Sequence, residues 1–67
     1  MMRADVLRRG EAIKDREGAR LPQGFSLHCR SDGRWSGECP TGSLESVDGQ
    51  FVEAWLFFMA EAQGKFA

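Results

Sequence analysis

The sequence predicts a small α+β domain, an antiparallel sheet of two or three strands covered by helix on one face. Three observations carry that prediction. Residues 25–39 alternate apolar and polar side chains on both sides of a glycine turn. Residues 50–63 put six large apolar side chains and Val52 into fourteen positions at helical spacing. Residues 3–17 carry a weaker apolar stripe of the same period.

The first element is read as a helix over Arg3 to Glu17. Met2, Val6, Gly10 and Ile13 line one narrow stripe. Asp5 stands four residues before Arg9, a favourable surface pair, and Gly18 suits the position that closes a helix. A mid-helix glycine such as Gly10 costs about 1 kcal/mol relative to alanine. Close approach of another backbone would explain it. The rival reading of this segment is two short strands, Glu11–Lys14 and Ala19–Leu21, joined by Asp-Arg-Glu-Gly.

Leu21-Pro-Gln-Gly24 is a connector. A hairpin over Phe25–Cys39 follows, with Phe25, Leu27 and Cys29 on one face of its first strand and Trp35, Gly37 and Cys39 on one face of its second. A two-residue Asp-Gly loop would set Leu27 against Glu38 and Cys29 against Ser36, apolar facing polar. A three-residue loop, Ser31-Asp-Gly33, pairs Cys29 with Trp35, Leu27 with Gly37 and Phe25 with Cys39. That register makes one face apolar or small throughout, so it is preferred. Leu44 and Val47 then suggest a short third strand, Ser43–Val47. Asp48 or Ser46 caps the long C-terminal helix, and Gly64 stops it with Lys65 near its negative end.

On that helix, at about 100° per residue, Phe51, Val52, Trp55, Leu56, Phe58, Met59 and Ala62 cover an arc of roughly 160°. Phe57 falls outside it, between Glu53 and Glu61 on the side expected to be wet. So much apolar surface on one helix points to a partner, either a second copy or another protein, with Trp55, Phe57 and Phe58 as anchors and Glu53 and Glu61 at their rim. The alternative is that the N-terminal helix covers Phe57 within the chain.

A length of 67 residues is one small domain near the lower limit for a single core. Hydrophobic content of 42% with 28% charged residues argues for a folded soluble protein. No apolar run is long enough to span a membrane and no secretory signal is visible, so the cytoplasm is the expected compartment. Net charge is −1, yet the first 34 residues carry more basic than acidic groups and the remainder the reverse.

Candidate chemistry is sparse. Cys29 and Cys39 lie too far apart in this register for a disulfide and are read as small buried residues. The single histidine, His28, points away from Cys29, so neither a zinc site nor a thiol–imidazole pair is expected. No phosphate-binding glycine motif occurs. Neither an enzyme nor a cofactor, metal or small-molecule substrate is expected. His28, Arg30 and Arg34 project from the outer face of the hairpin, with Arg30 directly opposite Arg34. An anionic partner could relieve that repulsion, making nucleic acid the alternative ligand. The pI of about 5.7 weighs against it.

Phe25-Ser-Leu-His-Cys29, Asp32-Gly-Arg-Trp-Ser-Gly-Glu-Cys-Pro40 and Asp48-Gly-Gln-Phe-Val-Glu-Ala54 together resemble the HicB-type antitoxins. The resemblance implies strand, glycine turn, strand, third strand and helix over Phe25–Ala62, and no site residue is carried over. The Leu-Pro-Gly-Cys segment usual in that family is missing, and the first seventeen residues have no counterpart there. The function expected from the sequence is that of a non-catalytic binding or regulatory module, inhibitor- or antitoxin-like, probing its partner through the C-terminal helix.

Overall fold

The computed structural model describes residues 2–66. Its elements are α1 (Arg3–Arg16), β1 (Ser26–Cys29), β2 (Trp35–Cys39), β3 (Gly42–Ser46) and α2 (Gly49–Ala62). The N-terminal segment is the helix, and the two-strand reading of it is excluded. Both helices close on a left-handed glycine, Gly18 at φ 71° and Gly64 at φ 70°. In each case the next residue donates its N–H back into the last turn, Ala19 to the Lys14 carbonyl and Lys65 to the Ala60 carbonyl. Of the two candidate caps for α2, Asp48 holds the position, its side chain accepting from the Phe51 N–H. Ser46 accepts from the Asp48 N–H and so braces the cap.

The strands form one antiparallel sheet in the order β1-β2-β3. Leu27 pairs with Gly37 and Cys29 with Trp35, the register the hairpin pattern requires. Gly33 takes φ 86°, and the Asp32 carboxylate accepts from the Arg34 N–H, which stabilises the three-residue loop. The third strand begins and ends one residue earlier than its composition suggests. Ser46 already pairs with Trp35, the first residue of β2, so Val47 has no partner and is 72% exposed.

Gly37 sits at the centre of the helix-facing side of the sheet, between Leu27 and Leu44. A Cβ there would come within 2.8 Å of Val52 and 3.1 Å of Leu56, so the missing side chain is the hollow that seats α2. The Trp35 indole packs on the backbone at Gly49 and fixes the start of the helix. Phe25, Leu56 and Ala60 form the buried core on this side, with Leu21, Leu27, Cys39 and Met59 around them.

Helix α1 does not lie over the sheet. Among the elements, α1 packs against α2 alone, which makes α2 the middle of three layers. Its start lies beside the start of α2 and its end beside the last turn, through the ion pairs Arg3–Asp48 and Arg16–Glu61. The contact is closest at Gly10. A Cβ on that residue would lie 2.0 Å from the Ala54 carbonyl oxygen, so only glycine lets the backbones meet this closely.

Candidate functional site

A helix held between a sheet and a second helix should be apolar on two sides and wet on the third. In α2 the residues fully buried are Val52, Ala54, Leu56, Phe57 and Ala60. Phe57 faces α1, is 0% exposed and stacks on Phe66 with ring centroids 6.2 Å apart. The expectation that Phe57 lies on the wet side is therefore corrected: it stands between Glu53 and Glu61, which both bind α1, and Phe66 stacks over its ring.

The same layer takes up both carboxylates flanking Phe57. Lys14 Nζ donates to Glu53 at 2.7 Å, and Arg16 binds Glu61. The bond to Glu53 raises the Lys14 pKa above its ordinary value, with burial acting the other way. Gln50 donates to Glu11 on this side as well. The polar groups of α2 are thus turned towards α1, and Glu53 and Glu61 are engaged within the chain rather than offered at a rim.

What remains uncovered is the third side. Phe51, Trp55, Phe58, Met59 and Ala62 share an arc of roughly 100° on the helix. Ala62 is exposed and the other four are half-buried. No charged side chain and no amide stands among the five, and the Trp55 indole N–H is their one polar group. The guanidinium of Arg3 lies 4.2 Å from the Phe51 ring centre and covers that end in part. Trp55 and Met59 also lean on the core. Two of the three expected anchors, Trp55 and Phe58, belong to this face. Phe51, Met59 and Ala62 complete it, and their place in the apolar arc was the signal that could have added them.

The outer side of the hairpin is differently arranged. Arg30 and Arg34 are paired through the Arg30 N–H and the Arg34 carbonyl at 2.7 Å, as the register demands. The charge on Arg30 is met inside the fold by Glu45 from β3, with Asp32 4.0 Å away. Repulsion between the two arginines thus needs no external anion. His28 is exposed beside the small, buried Ser36, and Arg34 has no ion pair among the described residues.

Both cysteines are free, but only one is even partly buried. Cys29 lies on the edge strand beyond Trp35 and is exposed, which corrects the expectation of a buried residue. For Cys39, burial pushes the thiol up, while bonds with the Thr41 side chain and backbone, Gln63 and the Gly42 backbone outweigh it. The thiol therefore lies below its ordinary value. No group of three or more His, Cys, Asp or Glu residues that could hold a metal ion occurs among the described residues, and no helix is long and apolar enough to cross a membrane.

Compared with known proteins, the chain matches no family model, no curated protein and no solved structure.

Proposed function

We propose that this chain is a non-catalytic binding or regulatory module, inhibitor- or antitoxin-like, that acts in the cytoplasm through protein–protein contact. Its working surface is the open face of α2, centred on Trp55 and Phe58. The observation that carries the reading is the one-sided polarity of the helix: Gln50, Glu53 and Glu61 all bond to α1, while the open side holds Phe51, Trp55 and Phe58 half-buried with no neighbouring element to complete their burial. Completing the burial of one such aromatic contributes a fraction of the roughly 1.5–3 kcal/mol for full burial of a large apolar side chain. Free thiols at Cys29 and Cys39 suit a reducing compartment.

The test is affinity capture with two baits, the native chain and Phe58→Glu, each first checked for native circular dichroism. A charge at the centre of the face should reduce retention of the specific partner by at least tenfold. Equal recovery of the same proteins by two folded baits would reject the face as the binding surface.

A further inference from the structure

The occupant of this face can be argued further, on the footing of the reading just proposed. We infer that the open face of α2 pairs with a second copy of this chain, the two helices running antiparallel. Phe51, Trp55, Phe58 and Ala62 are spaced four, three and four residues apart, the seam spacing of two helices packed side by side. When this seam is turned onto itself about a two-fold axis, Trp55 meets Phe58 of the second copy, and Phe51 meets Ala62. The large ring at one end thus opposes the smallest side chain at the other, and the pattern is self-complementary as a two-fold interface requires.

The charges agree with the same alignment. Asp48 caps the start of α2 and Lys65 lies just beyond its end, so the antiparallel copy brings each near the other. A parallel pair would instead set Asp48 on Asp48 and Lys65 on Lys65. The helix dipoles favour the antiparallel arrangement as well. A different protein would have no reason to reproduce this symmetry, which is why a second copy is preferred.

A standard interface buries about 800 Å² per partner. Five side chains, four of them already half-buried, on a helix of 14 residues supply less than that, so the dimer is weak and concentration-dependent. Light scattering over about 1 μM to about 1 mM reads this directly. The expected result is a mass rising towards twice the 7.5 kDa of one chain. Phe58→Glu should weaken association by about 100-fold. Ala62→Arg, at a position exposed in the single chain, replaces it should Phe58→Glu fail to fold. Lys65→Glu should weaken association about fivefold at low salt and not at high salt, since it sets acid against acid.

A single-chain mass throughout overturns the pairing. So does a dimer that survives both Phe58→Glu and Ala62→Arg. Lys65→Glu without effect on the dimer overturns the antiparallel alignment. If the mass stays single while Phe58→Glu changes the proteins captured, the second copy is wrong and the binding face stands. If neither responds, both fall.

Discussion

The side of α2 under α1 and its open side carry opposite chemistry to what their surroundings would suggest. Under α1 lie Glu53, Glu61 and Gln50 together with Phe57, and yet Phe57 is fully buried. On the open side lie Phe51, Trp55, Phe58, Met59 and Ala62, and none of them is fully covered. What decides which side is wet is the neighbour available to each. Helix α1 presents Lys14 and Arg16 where the two carboxylates stand, and Gly10 where backbone must meet backbone. It offers no comparable match for a row of aromatic rings. A side of a helix is thus buried by complementarity of shape and charge, and apolar content alone does not assign it.

The difference between Phe57 and Phe58 gives the largest test. Truncating a fully buried phenylalanine to alanine costs about 3–5 kcal/mol. For a chain of this size that approaches the whole stability, at roughly 0.05–0.15 kcal/mol per residue. Phe57→Ala should therefore be largely unfolded or show a strongly reduced urea midpoint. Phe58→Ala should lose about 1 kcal/mol or less, because its ring is already in partial contact with water. Similar midpoints for the two variants would mean that the burial of the two sides has been misjudged.

Gly10 comes next. In an exposed helix interior, glycine to alanine gains about 0.5–1 kcal/mol. Here the added methyl would meet the Ala54 carbonyl at 2.0 Å, so α1 must move off α2. Gly10→Ala should lose about 2 kcal/mol in equilibrium unfolding, within the range for overpacking. A gain in stability would show that the helices tolerate a wider separation, and with it a less complete cover over Phe57.

The sequence shows why the hairpin was easier to read than this helix pair. Period-two alternation together with Ser31-Asp-Gly33 leaves a single register in which apolar faces apolar, and the structure has it. Gly10 was legible as a point of close approach, but nothing in a linear sequence names Ala54 as the backbone approached. Phe57 was misplaced because an arc on a helical wheel assumes one buried side, whereas a middle layer has two. Glu53 and Glu61 marked a wet side only as long as their cations, Lys14 and Arg16, were unplaced. Arg30 gained its partner in the same way, from Glu45 on a strand whose pairing brings together residues 15 apart.

The ion pair between the layers gives the smallest and most specific prediction. Lys14 is held by Glu53 with about a third of each side chain exposed. Screening limits such a pair to about 0.2–1 kcal/mol. Its sign with pH is nevertheless distinctive. Because the Lys14 pKa is raised above 10.5 in the fold, the folded state holds the proton more tightly than the unfolded chain. The stabilisation is complete below that value and is lost as pH rises through the higher folded one. The chain has no tyrosine, so no phenol ionises in this range to obscure it. Lys14→Met should be less stable than the native chain by up to about 1 kcal/mol at neutral pH. The two should then converge above pH 10.5 as the native lysine is discharged. A difference that stays constant through that range would assign the effect to packing of the lysine stem, and the cover over Phe57 would then rest on Gly10 and the apolar contacts without help from charge.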